Sequence, residues 1–145
     1  MVDVGSKPVV YRQASAAGKI ALKPSTIEMI KTSKIEKGDP FPVARVAAIL
    51  AAKNTSSIIP MCHNIPLTSV EIEFDLLDAG VQVRSIVRAF WKTGVEMEAL
   101  TATTVALLTV WDMVKQYEKD SEGQYPETRI LEVRVDKKIK RSPDE

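Results

Sequence analysis

The residues best suited to chemistry fall into four short clusters, and the first is Lys37-Gly38-Asp39, which precedes Pro40. Asp39 is a good N-cap and Pro40 suits the first helical position, so the cluster is expected to begin a helix. A helix N-terminus offers free N–H groups and partial positive charge, and with a lysine it suits a phosphate or another anion. The alternative is that Asp39 only caps the helix and Lys37 is solvated.

The second cluster, Pro60-Met61-Cys62-His63-Asn64, holds the only cysteine and the only histidine of the chain. A loop between prolines could hold the histidine rigidly as an acid, a base or a hydrogen-bond donor. Adjacent side chains of an extended segment point to opposite sides, so a Cys–His nucleophile pair is not expected. The alternative is a surface histidine beside a cysteine that packs as a small hydrophobe.

The third cluster is TGVEME over 93–98, which has carboxylates at Glu96 and Glu98 around Met97. Within a helix these carboxylates lie about 200° apart, so they converge only if the helix begins among them. Glu96 is equally well explained as a negative charge that stabilises a helix N-terminus. Glu98 is embedded among apolar residues, where a carboxylate needs a partner.

The fourth cluster is Asp112 with Lys115, spaced so that the two share one helix face and can pair. The alternative is a surface ion pair that contributes little. Glu98 and Asp112 are fourteen residues apart on one predicted helix, which places them about 21 Å apart on nearly the same face. One small substrate cannot reach both from a single copy, so a shared site would need two subunits.

The elements that position these clusters follow from hydrophobic periodicity. We predict strands over Val9–Leu22, 70–76, 81–88 and 130–135, where the second and third form a hairpin around Asp78-Ala79-Gly80. We predict a short extra helix from a capping box at Ser25 and Glu28 to about Lys34, a helix over Val43–Lys53, a loop over Asn54–Pro66 and a long helix over Val95–Glu118. The stripe of Val43, Val46, Ala47 and Leu50 is expected to face the core.

This order of elements indicates an α+β protein with a ferredoxin-like, split βαβ antiparallel sheet and helices packed on one face. We expect a single domain over residues 1–145, with mobile ends at 1–8 and 137–145. The long helix is apolar around most of its circumference, which predicts burial against a second subunit and therefore an oligomer.

Composition excludes several classes of protein. The 145 residues are 45% hydrophobic and 27% charged, and 20 basic against 19 acidic residues give a net charge of +1. This balance gives no case for nucleic-acid or membrane binding, and Phe74 and Phe90 are too few aromatics for an RNA-stacking sheet. We find no signal peptide, so a cytoplasmic protein is expected. One cysteine and one histidine make a protein-bound zinc or another metal site a poor prediction.

The chain resembles the cyclic pyranopterin monophosphate synthase family, the MoaC proteins of molybdenum cofactor biosynthesis. The motifs that carry the resemblance are MVDV (1–4), KGD (37–39), AR-A-I-AAK-T (44–55), IP-CH (59–63), TGVEMEALTA (93–102) and DM-K (112–115). The resemblance implies an enzyme, a phosphorus–oxygen lyase that is a trimer of dimers (a homohexamer) with active sites at dimer interfaces. It implies conversion of (8S)-3′,8-cyclo-7,8-dihydroguanosine 5′-triphosphate to cyclic pyranopterin monophosphate with release of pyrophosphate.

The resemblance also implies roles for individual residues. The catalytic residues would be Lys37, Asp112 and Lys115, and the substrate-binding residues would be Met61, Cys62, His63, Glu96, Met97, Glu98, Lys53 and Arg12. The strongly anionic triphosphate explains the lysines, and no cofactor is expected beyond Mg²⁺ that could accompany the phosphates.

The C-terminal segment departs from the family pattern. Many bacterial members end in a KSGGKSG-type segment, whereas this chain reads VDKKIKR over 135–141, so Lys137 or Lys138 would have to supply the tail lysine. Asn64 stands where the family usually has proline, and Val114 stands where it has cysteine. A different class of function stays open, namely a nucleotide-binding or scaffold protein without turnover on the same fold.

Overall fold

The computed structural model describes residues 1–142, in which four strands and four helices follow one another along the chain. The strands are β1 (Val10–Ala21), β2 (Leu67–Leu77), β3 (Gly80–Trp91) and β4 (Arg129–Arg141). The helices are α1 (Pro24–Lys31), α2 (Pro40–Lys53), the single turn α3 (Thr55–Ile58) and α4 (Glu96–Glu118).

The four strands form one antiparallel sheet in the order β2-β3-β1-β4. Strands β1 and β2 are thus parallel to each other, with β3 between them, which is the split βαβ arrangement. The α+β, ferredoxin-like prediction is confirmed. The predicted hairpin is also present, since β2 and β3 pair from Leu77 opposite Gly80 to Leu67 opposite Ala89.

Helix α4 lies across the centre of the sheet, and buried polar contacts fix its position. The Ser85 hydroxyl on β3 donates to the carbonyl of Ala99 at 2.6 Å and shares a 2.7 Å hydrogen bond with Thr103. Thr103 in turn donates to the carbonyl of Ala16 on β1. Helix and sheet are therefore in fixed register, because a slip would leave buried polar groups unpaired.

Helix α2 packs against α4 through alanines rather than through the predicted stripe. Its buried residues are Pro40, Ala44, Ala48, Ala51 and Ala52, whereas Val43, Val46 and Leu50 are about half exposed. Small side chains allow two helices to approach closely, which the larger side chains would prevent. The predicted core stripe of α2 is therefore wrong by part of a turn, and the larger apolar side chains remain on the outer surface.

Helix α1 does not begin with the predicted capping box. Its N-cap is Lys23, and no side chain of its own segment caps it. Both carboxylate oxygens of Glu118, at the far end of α4, accept from the Lys23 N–H at 3.2 Å. Glu118 also accepts from the hydroxyls of Thr26 and Thr128. A long-range contact therefore replaces the local cap.

The ends of the described chain are more ordered than the loose ends we predicted. Residues 137–141 continue β4 and pair with β1, from Lys137 opposite Ser15 to Arg141 opposite Tyr11. Pairing with a central strand supplies backbone hydrogen bonds that a free tail would lack. Residues 1–8 form no strand or helix, but Gly5 accepts from Lys92 through its carbonyl. Positions 143–145 of the predicted tail lie outside the described residues.

Helix α4 is the one helix among residues 1–142 that is long and apolar enough to cross a membrane by length and composition. Half of its apolar window is buried inside the protein, as in the core helix of a globular domain. Mostly apolar side chains, with two threonines among them, form a stripe along its other side. We call it the outer stripe of α4; it comprises Met97, Leu100, Thr101, Thr104, Val105, Leu108 and Trp111.

Candidate active site

The loop after α3 and the first turn of α4 together enclose a small open pocket of about 190 Å³. We call it the α4 N-terminal pocket; it is lined by Met61, Cys62, His63, Ile65, Thr93, Gly94, Glu96, Met97 and Glu98. The structure thus brings together the second and third clusters, six of whose predicted site residues share one cavity. The carboxylates of Glu96 and Glu98 both reach the pocket because α4 begins at Glu96.

Glu98 lies deepest in this pocket and is only 3% exposed. Burial raises the pKa of its carboxyl, a hydrogen bond from its own backbone N–H opposes the rise, and the charge of Glu96 adds to it. The net effect is a raised pKa, which moves this carboxyl toward the range of a general acid. Burial and the charge of Glu98 also raise the pKa of the Cys62 thiol, which disfavours a thiolate nucleophile.

Glu96 has the opposite environment. Lys138 on β4 lies 2.6 Å from its Oε1. Burial raises the pKa of Glu96, but hydrogen bonds from Lys138 and its own backbone N–H outweigh that effect and lower the pKa overall. The carboxylate folds back over Gly94, where a Cβ would stand 2.4 Å from one of its oxygens. Any larger residue at Gly94 would therefore displace Glu96.

Lys138, rather than Lys137, is the tail lysine that reaches the pocket. In the β1–β4 register, Lys138 lies opposite Ala14 and faces the helices, whereas Lys137 lies opposite Ser15 and faces away from them. The sequence left this choice open, because the strand predicted over 130–135 ended before both lysines. Lys138 joins the site residues on the contact with Glu96.

Arg12 adds a buried positive charge beside Glu96. It is 8% exposed on β1, and one Nη donates to the carbonyl of Lys92 at 3.3 Å. Its Nε is buried and has no hydrogen-bond partner within residues 1–142. Its charge contributes to the lowered pKa of Glu96. A buried guanidinium with unused donor capacity suits an anionic ligand.

The first residues of the chain lie over the same pocket. The Nε2 of His63 is 2.6 Å from the carbonyl oxygen of Val2. A carbonyl only accepts, so Nε2 carries the proton in this contact. The amino group of Met1 donates to the sulfur of Met61 at 3.3 Å. The first two residues therefore contact this side of the pocket, and a ligand that binds His63 through Nε2 would have to displace the Val2 carbonyl.

The first and fourth clusters meet at the other end of α4, where two lysines hold Asp112. Lys115 lies 3.1 Å from Oδ1, and Lys37 lies 3.3 Å from Oδ2 and donates to the Asp112 carbonyl at 3.0 Å. Hydrogen bonds from Lys115 and then Lys37 lower the pKa of the Asp112 carboxyl. We call Lys37, Asp112 and Lys115 the lysine–aspartate cluster.

Lys37 reaches Asp112 from the loop that precedes α2. Gly38 has φ +103°, a backbone conformation that favours glycine, and nothing surrounds the position of a Cβ there. Asp39 caps α2 by accepting from the N–H of Phe41, which confirms the predicted helix start. Asp39 is thus occupied as a cap, while Lys37 is an ion-pair partner rather than a solvated side chain.

The structure does not bring the two groups of residues together within one chain. They lie toward opposite ends of α4, about 21 Å apart by helix rise. Lys53 belongs to neither group: it ends α2, is exposed and forms no hydrogen bond or ion pair within residues 1–142. The same described residues contain no group of three or more His, Cys, Asp and Glu placed to hold a metal ion.

The family model for MoaC matches residues 1–140. The chain belongs to the MoaC family. A protein of Sulfurisphaera tokodaii named probable cyclic pyranopterin monophosphate synthase is 56% identical over 99% of this chain and 95% of its own length. One of Pyrococcus furiosus with the same name is 58% identical over 97% of this chain and 90% of its own. One of Methanothermobacter thermautotrophicus, named probable cyclic pyranopterin monophosphate synthase accessory protein, is 59% identical over 97% and 88%.

Two sets of complementary groups thus form the candidate site of this MoaC family member. The α4 N-terminal pocket is lined by a carboxyl with a raised pKa and by a histidine, and Lys138 and Arg12 lie beside its Glu96. The lysine–aspartate cluster combines two ammonium groups with one carboxylate. Such groups can bind a polyphosphate and move protons in either direction, which is the chemistry of an acid–base enzyme acting on an anionic substrate.

Proposed function

We propose that this chain is a cyclic pyranopterin monophosphate synthase of molybdenum cofactor biosynthesis, the activity for which its relatives are named. The reaction would convert (8S)-3′,8-cyclo-7,8-dihydroguanosine 5′-triphosphate to cyclic pyranopterin monophosphate and release pyrophosphate. The observation that carries the proposal is the convergence of His63, Glu96 and Glu98 on one pocket, with Lys37 and Lys115 on Asp112. A protein without turnover would not require both arrangements.

The positive side chains would neutralise the substrate and the leaving pyrophosphate. Arg12 and Lys138 flank Glu96 beside the pocket, and His63 lines it. Positioned cations stabilise charge that develops on phosphate oxygens in the transition state. Met61, Cys62 and Met97 would shape the rest of the binding surface, and Lys53 would contribute only through a partner subunit.

Lys37 and Lys115 would serve as acid and base, and Asp112 would orient them. Ring opening and reclosure move protons in both directions, which requires a donor and an acceptor on the same substrate. A lysine shifts its protonation readily when a substrate excludes water from it. Asp112 holds one ammonium group with each carboxylate oxygen, so both lysines are gathered at a single carboxylate.

The complete site would be built from two subunits. The outer stripe of α4 runs from Met97 beside the pocket to Trp111 beside Asp112, and Leu108 on it is 51% exposed. Two antiparallel copies of α4 packed along this stripe would place the pocket of one beside the lysine–aspartate cluster of the other. We propose a dimer-built hexamer in the cytoplasm. Analytical ultracentrifugation that finds only a monomer would contradict it.

No resident cofactor is part of the proposal, and Mg²⁺ would enter with the triphosphate. Hard oxygen ligands from phosphates suit Mg²⁺, which usually keeps several waters and few protein ligands. Turnover with and without EDTA tests this. Loss of turnover on chelation that excess Mg²⁺ restores would show that Mg²⁺ assists the reaction. Binding of Mg²⁺ to the protein without substrate would contradict its entry with the triphosphate.

The decisive experiment is a turnover assay on the purified protein with the cyclised dihydro-GTP. We expect pyrophosphate and pyranopterin in equal amounts, and a loss of at least about a hundredfold in Asp112→Asn, which keeps the shape but loses the charge. Asp75→Asn, on the outer part of β2, is the matched control and should retain activity. Tight nucleotide binding without any turnover would instead support the alternative of a binding or scaffold protein.

A further inference from the structure

The loop that carries Lys37 is held to the end of α4 by its neighbour Glu36, through both the backbone and the side chain of Glu36. The backbone N–H of Glu36 donates to the Tyr117 hydroxyl at 2.8 Å. The Gln116 amide donates to the Glu36 carboxylate at 3.0 Å. Both partners come from the turn of α4 that follows Asp112, so loop and helix are joined immediately beside the lysine–aspartate cluster.

These contacts fix the loop where it would otherwise be free. Ile35 is 7% exposed and anchors one side in the core, and Gly38 turns the chain toward α2 on the other. Between them, Glu36 and Lys37 are exposed. An exposed ion pair between long side chains holds its geometry only weakly, so the Lys37–Asp112 pair needs a fixed backbone to remain in place.

We propose that Tyr117, assisted by Gln116, is a positioning residue for Lys37. Its hydroxyl accepts the N–H of the residue before Lys37 and thereby sets the point from which the lysine side chain reaches Asp112. Tyr117 does not touch substrate in this inference and acts only through Lys37. The inference rests on the proposed function for the role of Lys37 in turnover, but the geometry itself is independent of that role.

The variant Tyr117→Phe removes the hydroxyl and keeps the ring that packs against the core. We expect turnover to fall between about 10- and 100-fold, the range that a misplaced catalytic group causes. Tyr125→Phe is the matched control. Its ring contacts Trp111, its hydroxyl makes no hydrogen bond within residues 1–142, and its activity should stay at the wild-type level.

A double-mutant cycle separates positioning from general destabilisation. If Tyr117 acts through Lys37, then Tyr117→Phe should cause no further loss in a Lys37→Ala background. The same fold loss in both backgrounds would overturn the inference. Gln116→Ala alters only an exposed side chain and serves if Tyr117→Phe fails to fold; it should show a smaller loss that also disappears without Lys37.

A second measurement needs no substrate. Lysines are dimethylated with ¹³C-formaldehyde, and the Lys37 signal is assigned by its absence in Lys37→Arg. The substitution Asp112→Asn, made in the wild-type background, should change the chemical shift of this Lys37 signal. The same substitution made in the Tyr117→Phe background should change it less. An equal change in the two backgrounds would overturn the inference. Absence of turnover in the wild-type protein would instead count against the proposed function, and the NMR result would still decide the role of Tyr117.

Discussion

Glu96 and Glu98 are two residues apart, yet their surroundings tune them in opposite directions. Burial, and then the neighbouring charge of Glu96, raise the pKa of the Glu98 carboxyl. Glu96 pairs with Lys138 and favours the ionised form. A pocket that holds two carboxyls with pKa values shifted apart suits acid–base chemistry better than two equivalent acids would.

The raised pKa of Glu98 predicts how stability depends on pH. Between the ordinary carboxyl pKa and the raised value, the folded protein binds more protons than the unfolded chain, so stability falls as pH rises through this interval. Glu98→Gln removes this loss. Thermal melts should therefore show Glu98→Gln more stable than wild type at neutral pH and similar to it at pH below the ordinary carboxyl pKa.

Glu96→Gln is the opposite control for that measurement. The lowered pKa of Glu96 contributes stability above the ordinary carboxyl pKa, and this contribution is lost as pH falls through the lowered value. Glu96→Gln should therefore be less stable than wild type at neutral pH. If both variants shift in the same direction, the two carboxyls do not have the assigned environments.

At the scale of elements, the C-terminal end of α4 organises the segment from β1 to α2. Glu118 caps α1, Tyr117 and Gln116 hold the next loop, and Asp112 holds Lys37. All four contacts come from two helical turns, so the end of α4 sets where Lys37 lies. This part of the molecule joins stability to the site.

Removing the Glu118 side chain should strongly destabilise the fold. Glu118 is fully buried, and its loss leaves the N–H of Lys23 and the hydroxyls of Thr26 and Thr128 without their acceptor. We expect Glu118→Ala to lower the free energy of unfolding by about 3–5 kcal/mol. Urea denaturation measures this change.

Glu28→Ala is the control for Glu118→Ala, because sequence patterning assigned the α1 cap to the capping box that contains Glu28. Glu28 is exposed in the structure, so we expect its truncation to change the free energy of unfolding by less than about 0.5 kcal/mol. If Glu28→Ala lowers the free energy of unfolding more than Glu118→Ala does, the local capping box, and not Glu118, stabilises the start of α1.

Strand β4 makes a separate prediction about Lys138. Lys138→Ala should lower turnover at least about tenfold, because it removes a cation from the pocket and releases Glu96. Lys137→Ala, its neighbour on the other face of the sheet, should leave turnover unchanged. Equal losses in the two variants would mean that the tail acts only through its overall charge.

The sequence was sufficient for features that depend on local pattern. Alternating strands, the Asp39 cap and the extent of α4 follow from periodicity and capping rules. These features predict the sheet and place the site residues at the two ends of α4. The cap of α1 and the buried face of α2 depend on contacts with α4, which begins 65 residues after α1 ends. Local patterns contain no information about such contacts.

The choice between Lys137 and Lys138 was undetermined for a different reason. The pairing of β4 with β1 shifts between Ser15 and Ala16 and again between Ala17 and Lys19. Each shift moves the following side chains to the other face of the sheet. Because both shifts precede Lys137, they cancel there, and Lys138 lies on the same face of the sheet as Ile130. The strand predicted from the sequence ended at 135, so it assigned neither lysine to a face.

At the scale of the whole molecule, the outer stripe of α4 lies between the two parts of the site and is apolar over most of its length. In an antiparallel pair, each composite site would take Glu98 from one copy and Asp112 from the other. A symmetric dimer would contain two such sites. This arrangement gives a direct test by subunit mixing.

Glu98→Gln and Asp112→Asn should each be inactive alone but should regain activity when they are unfolded and refolded together. A mixed dimer has one site with both substitutions and one with neither, so random pairing restores about a quarter of the sites. Turnover measured after co-refolding gives the result. Separately refolded proteins mixed afterwards are the control, and no gain on co-refolding would argue for sites within single chains.

Helix α4 contains no glycine or proline over its 23 residues, so it is a continuous helix and the number of residues sets the distance between its ends. Inserting one residue between Glu98 and Asp112 would turn one end by about 100° relative to the other. Inserting seven residues would return Glu98 and Asp112 to nearly the same face of the helix but would move them about 10 Å further apart. Any change in the length of this one helix would therefore separate or misalign the two parts of the composite site proposed above.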